Sequence, residues 1–171
     1  VAVIKFLFWI KNLKRNISEL EAEKKLNFFR ERSKKYLFPS FNTIAASGPN
    51  GAIIHYRANQ NSNRMIKKND IFLCDSGGQY KYGTTDITRT IGFGKQSTRI
   101  KDIFTYVLKG HIAVANANLD KLTSAHLLDT LARKFLKKKR LDYPHGTGHG
   151  VGYFLNAVSY THLRAHETLN H

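Results

Sequence analysis

CDSGGQYKYGTTDITRT, residues 74–90, is the stretch on which the reading of this chain turns. It sets Asp75 and Asp86 among Thr, Ile and Tyr residues that favour extended backbone, in a sequence with only 12 acidic side chains. IFLCD (71–75) is a short apolar run that predicts a strand ending on Asp75. Gly77 and Gly78 predict a bend, QYKY alternates, Gly83 opens a second turn, and DITRTIGFG alternates again. Together these predict a β-hairpin or meander. Two carboxylates on neighbouring strands of one hairpin can face the same space. Left alone and buried, one of them would take up a proton. A divalent cation removes that conflict, and two cations about 3.5–4 Å apart can share one carboxylate. Asp75 beside Gly also fits a plain strand-end cap, whereas Asp86 sits inside a β-pattern that would otherwise take threonine or valine.

Working outward, HGTGHG (145–150) supplies imidazoles at His145 and His149. Imidazole suits manganese, zinc, cobalt or iron, while carboxylates alone suit magnesium or calcium. The intervening glycines permit close approach of backbone to a ligand. Residues 1–14 read as a buried helix. Ser18 followed by Glu21 forms a capping box that opens a helix to about Tyr36, with Leu20, Leu26, Phe28 and Phe29 among its buried positions. PSFNTIAASGPNG (39–51) carries turn chemistry and a short strand at Phe41–Ala45, and AIIHY (52–56) reads as a strand with His55 near its end. An amphipathic helix is expected over 98–119, through Ile103, Val107, His111 and Val114, and another from near Thr123 to about Lys139. PHGTGHGVGYFLN (144–156) reads as a loop leading into a strand.

The chain has 171 residues, 42% of them apolar, which is enough for one globular domain with a proper core. A net charge of +16 raises nucleic acid as a partner. The basic residues, however, occupy polar positions of ELEAEKKLNFFRERSKKY and LARKFLKKKR without interleaved aromatics, so they read as solvated helix faces and no nucleic acid is expected. The lone cysteine, Cys74, excludes a disulfide framework and a cysteine-based zinc cage. VAVIKFLFWI is too short to span a bilayer and no cleavage site follows it. The expectation is a cytoplasmic protein with no membrane partner. Because the chain begins Val-Ala-Val and its one methionine is Met65, it is expected to be a piece of something longer.

GPNGAIIHY (48–56), LCDSGGQYKYGTTDITRT (73–90), VLKGHIAVA (107–115) and YPHGTGHGVGYFLN (143–156) resemble the catalytic domain of aminopeptidase P (Xaa-Pro aminopeptidase), one of the pita-bread metallopeptidases. The resemblance runs from residue 1 to Asn156. It implies an α+β pita-bread (creatinase/aminopeptidase) fold, incomplete: the first half plus the start of the second. By the same resemblance Asp75 and Asp86 are metal ligands, both oxygens of Asp75 lying on one ion and Asp86 bridging, and His149 is the nitrogen ligand. His55 and His145 are catalytic residues of the substrate site that hydrogen-bond the peptide around the scissile bond. The implied cofactors are two divalent ions, usually Mn2+, with Zn2+ or Co2+ as the other candidates. The implied chemistry is attack of metal-activated water on the carbonyl of the first residue, with proline in the second position and a glutamate as general base. Peptides with penultimate proline would be the partners, and the parent protein would be a homodimer.

Tyr82 stands where the family usually has a polar residue, and Ala58 where it often has proline. Thr88 and Arg89 are candidates for orienting Asp86, with a strand salt bridge as the alternative, and His111 and His126 read as packing or surface residues. At residue 157 the resemblance stops: the family continues with Val-His-Glu-Gly-Pro, and this chain has Ala157, Val158, Ser159. Two metal-binding glutamates should follow, yet the tail offers Glu167 alone, together with His162, His166 and His171. The expected division is therefore 1–156 as partial catalytic domain and 157–171 as a non-native tail of adapter, vector or frameshift origin. The chain as given is expected to bind metal weakly and hydrolyse nothing. Two further readings stay open: a non-catalytic pita-bread module that binds peptides or proteins, and a prolidase-type dipeptidase.

Overall fold

β3 (Ile71–Tyr80) is the strand around which the sheet is assembled in this computed structural model, which describes residues 1–118, 120 and 124–154. The tail expected at 157–171 lies outside the described residues. One edge of β3 is covered along its whole length by β4 (Gly83–Gly92), antiparallel, from Ile71 opposite Gly92 to Tyr80 opposite Gly83. The other edge is shared by two short antiparallel strands. β1 (Tyr36–Phe38) meets the C-terminal end of β3, and β2 (Ile44–Ser47) pairs Ile44 with Asp75 and Ser47 with Phe72. The predicted hairpin is thus present, with Lys81 and Tyr82 at its turn.

Alternation along β3 sends Phe72, Cys74 and Ser76 to one face, where all three are buried. That face packs against α1 (Ala2–Lys11) and α2 (Glu19–Glu31) through Val3, Phe6, Ile10, Ala22 and Leu26. The Phe6 and Phe72 rings lie 6.2 Å apart. α2 opens as its capping box requires: the Glu21 N–H donates to Ser18 Oγ at 3.2 Å and the Ser18 N–H donates to Glu21 Oε2 at 2.9 Å. Arg30, buried on α2, ties helix to sheet by donating to the Ser76 carbonyl at 2.9 Å and its hydroxyl at 2.8 Å.

Several expectations shift. α2 ends at Glu31, short of Tyr36, because Tyr36 is drawn into the sheet opposite Tyr80, with ring centroids 5.6 Å apart. Of the apolar residues expected inside, Leu26 is buried, Leu20 and Phe29 are half-buried, and Phe28 is exposed. α1 buries one stripe and leaves Ile4 and Phe8 exposed. β2 starts three residues after Phe41. AIIHY is no strand: Gly48–Ala52 forms a 3-10 turn, the Ile53 and Tyr56 amides bond to the Asn50 and Ile53 carbonyls, and Ile53 and Ile54 are exposed. β3 does not bend at Gly77 and Gly78. Glycine is needed at 77 because the Ser40 hydroxyl crosses the strand there to reach the Thr85 carbonyl at 2.8 Å, and a Cβ would collide with both.

The chain forms two compact units. The first comprises 1–95 together with 150–154, and the second comprises 96–149. In the second, α3 (Thr98–Ala115) and α4 (Ala125–Lys137) pack with Gly110 set against the Ala132 backbone, so closely that a Cβ would strike the Ala132 carbonyl. Both predicted helices are present, each a few residues shorter than expected. Ile103 and Val114 are half-buried, Val107 and His111 exposed. The expected strand after the Gly-rich loop does not form at 151–154. Instead Phe154 meets the hairpin of its own unit, its N–H donating to Thr84 Oγ1 at 2.8 Å and its ring lying 5.8 Å from Phe38.

Candidate metal centre

The register of β3 and β4 settles how the two aspartates relate. Asp75 lies opposite Thr88, and Asp86 lies opposite Gly77. Directly opposed residues share a face, so Asp75, Gly77, Asp86 and Thr88 all lie on the face turned away from Phe72 and Cys74. The two aspartates are diagonal neighbours there, a relation that places Cβ atoms roughly 7 Å apart, within reach of one cation for two carboxylates. Both are half-buried. The sheet thus presents a pair of hard oxygen donors on one face, the donor set that fits a divalent cation.

The Thr88 hydroxyl donates to Asp75 Oδ1 at 2.8 Å, which restrains that oxygen. Arg89 donates to the Thr88 carbonyl at 2.7 Å. On the opposite face, burial pushes the Cys74 thiol up to about 11, so it remains a neutral core group beside the acidic pair.

His55 lies in the first unit at φ +55°, a left-handed conformation that histidine adopts more readily than most side chains. The next residue anchors it. The Tyr56 hydroxyl donates to Glu19 Oε2 at 2.7 Å, and the fully buried Glu19 carboxylate also accepts from the Ser47 amide at 2.6 Å, the Arg64 amide at 3.0 Å and Asn50 Nδ2 at 3.1 Å. This cluster, invisible to periodicity, holds the turn that presents His55 to solvent.

His145 and His149 lie in the second unit, on the loop after α4. The helix ends with Arg140 at φ +56° and the Leu141 amide returning to the Leu136 carbonyl at 3.1 Å. Arg133 then gathers the loop: Nη1 donates to Asp142 Oδ1 and the Tyr143 carbonyl, each at 2.7 Å, and Nη2 donates to the His145 carbonyl at 2.7 Å. Its guanidinium lies 3.9 Å from the Tyr143 ring centroid. Asp129 accepts from Arg133 Nε at 2.9 Å and from the Thr147 hydroxyl, and the Thr147 bond followed by the Arg133 bond holds its carboxyl below the usual carboxylate range. Neither Arg133 nor Asp129 was signalled by any motif; their partners lie up to 18 residues away. Among the described residues no group of three or more His, Cys, Asp or Glu side chains is brought together as a metal cage. Asp75 and Asp86 are joined on one face, and His149 belongs to the other unit.

The model of metallopeptidase family M24 matches residues 1–169. The chain belongs to metallopeptidase family M24. Within that family it is similar to the protein named "Probable Xaa-Pro aminopeptidase P" of Sordaria macrospora, 48% identical over 159 residues, which is 91% of this chain and 26% of the relative. Among solved structures it is similar to the X-prolyl aminopeptidase of Caenorhabditis elegans, described as a cytosolic enzyme with a di-nuclear active site. That match has a TM-score of 0.87 at 39% identity and covers 94% of this chain and 27% of the other. The prolidase of Pyrococcus furiosus matches with a TM-score of 0.80 at 27% identity, over 95% and 47% of the two chains. The helices and sheet are those of the pita-bread fold, as the motifs implied. The chain spans about a quarter of the length of the curated relatives it matches. Among the described residues no helix is long and apolar enough to cross a membrane.

Proposed function

We propose that this chain carries part of the active site of a metal-dependent Xaa-Pro aminopeptidase, which removes the N-terminal residue from peptides with proline in second position. The observation that carries the reading is the shared face of Asp75 and Asp86 within a chain of family M24. Asp75 and Asp86 are the carboxylate ligands of a divalent metal pair, Mn2+ in this reading, and His149 is the imidazole ligand. The metal pair supplies an activated water at neutral pH and stabilises charge developing on the scissile carbonyl. Thr88 restrains one oxygen of Asp75 and so limits the orientations that carboxylate can take. His55 and His145, both exposed, hydrogen-bond the peptide on either side of the bond to be cut. The parent protein works in the cytosol and as a homodimer. Relatives 48% and 46% identical that are named Xaa-Pro aminopeptidase P, and 39% identity to the C. elegans X-prolyl aminopeptidase, support peptide over dipeptide substrates.

The test is a chimera in which residues 1–154 replace the matching segment of the C. elegans enzyme, assayed on Arg-Pro-Pro and Arg-Ala-Ala peptides with Mn2+. Selective cleavage of the proline peptide is expected. Asp75→Asn and Asp86→Asn should each weaken Mn2+ binding, read by calorimetry, by more than about a hundredfold, since even outer-shell partners are worth ten- to a hundredfold. A folded chimera that binds Mn2+ equally well with either substitution would sink the ligand assignment.

A further inference from the structure

We propose that Arg133 is a positioning residue that sets the orientation and tautomer of His145, an inference that rests on the substrate-contacting role proposed above for that histidine. Three observations within the second unit converge on it. First, the guanidinium fork holds two carbonyls of the loop, those of Tyr143 and His145 on either side of Pro144, each at 2.7 Å, while its Nε is spent on Asp129. A planar fork can hold several acceptors at fixed angles, which the single ammonium of lysine cannot. Secondly, Asp129 takes the Thr147 hydroxyl, and that hydroxyl also lies 2.6 Å from the Tyr143 hydroxyl. The backbone is thereby pinned on both sides of His145. Thirdly, the Tyr143 ring that the guanidinium covers is the ring on which the His145 imidazole stacks, centroids 4.7 Å apart and planes inclined by 28°.

The pinned backbone places the Gly146 carbonyl 2.8 Å from His145 Nδ1. A carbonyl can only accept, so Nδ1 carries the hydrogen and, in the neutral ring, Nε2 is left as an acceptor. A free imidazole prefers the opposite tautomer. The Arg133 clamp therefore decides which nitrogen of His145 is offered outward: in the neutral ring, an acceptor suited to a peptide N–H.

The experiment is imidazole nitrogen NMR on the 171-residue chain at about pH 8, where unperturbed histidines are neutral, with Arg133→Lys and Thr147→Val. The wild type should show the Nδ1–H pattern for His145 and ring protons shifted upfield by Tyr143. Arg133→Lys should shift His145 toward the Nε2–H pattern and remove most of the ring-current shift, while the remaining histidine signals and the melting temperature change little. Should Arg133→Lys fail to fold, Thr147→Val, which leaves the guanidinium intact, is expected to produce the same shift. A His145 signature that is Nε2–H in the wild type, or unchanged in a folded Arg133→Lys or Thr147→Val chain, overturns the proposal. The measurement needs neither metal nor peptide, so a chimera that cleaves nothing counts against the peptidase reading alone. In a cleaving chimera Arg133→Lys should lower kcat/KM about ten- to a hundredfold, the scale of a modest misplacement, without altering Mn2+ binding.

Discussion

At the scale of single residues, the acidic pair depends on what lies behind and beside it. Cys74 separates Asp75 from the core, and its thiol is raised from an ordinary 9.0 to about 11 by burial. The folded chain thus holds that proton more tightly than the unfolded one. The stability this supplies is complete below about pH 9 and drains away as pH climbs toward 11. Urea titrations at pH 8 and pH 10.5 should show a lower midpoint at the higher pH, and Cys74→Ala should remove part of that difference. Glu19 is a buried carboxylate at the centre of a separate cluster. Its carboxylate gathers the Ser47 and Arg64 amides, Asn50 and Tyr56, and all of these are donors. Glu19→Gln sets an amide donor against them and should cost about 2–3 kcal/mol in urea unfolding, the penalty for leaving a buried donor unmet. A change below half a kcal/mol on that scale would mean the cluster does not hold the His55 turn.

At the scale of elements, the hairpin was legible because its information is local: period-two alternation, glycine and the two aspartates all fall within residues 71–94. The Ser18–Glu21 cap was legible for the same reason, since both partners sit within one helical turn. AIIHY was misread because its conformation is held through the Tyr56 hydroxyl by Glu19, a contact that spans 37 residues. Ile53 and Ile54 look like strand residues but are exposed, and among the described residues no strand pairs with them, so β-propensity had nothing to act on. The C-terminal limit of α2 was lost to Tyr80, which recruits Tyr36 into the sheet. Of the candidate site, the carboxylate pair could be read from spacing, whereas Arg133 could not, because a half-buried arginine with several acceptors and a solvated one look alike in sequence. Gly77 shows the same limit: a bend was expected where the structure has a crossing. Gly77→Ala should therefore destabilise by about 3 kcal/mol through forced overpacking against Ser40 and Thr85, measured by thermal or urea unfolding. Gly83→Ala, where a Cβ meets nothing, is the control and should cost far less.

At the scale of the whole chain, a net charge of +16 coexists with exposed apolar side chains on α1 and α3, among them Ile4, Phe8, Phe104, Val107, Leu108 and Ile112. Repulsion between like-charged copies keeps such surfaces apart at low salt, and the screening length shrinks to about 8 Å at physiological ionic strength. Sedimentation velocity should accordingly show the chain monomeric at low salt and increasingly associated as NaCl rises. Association that decreases with salt would mean that ionic contacts, and not the apolar faces, hold copies together.

The alternation along β3 reaches beyond stability. Asp75 and Cys74 are neighbours in sequence and point to opposite faces, so a slip of one residue between β3 and its partners would trade them, placing a thiol among the outward acids and a carboxylate in the core. Length changes in the chain are therefore tolerable at Lys81 and Tyr82, outside the ladder, and intolerable by a single residue anywhere between Ile71 and Tyr80. Relatives that keep both aspartates as a pair should differ in the length of that turn and never in the count of residues along the strand.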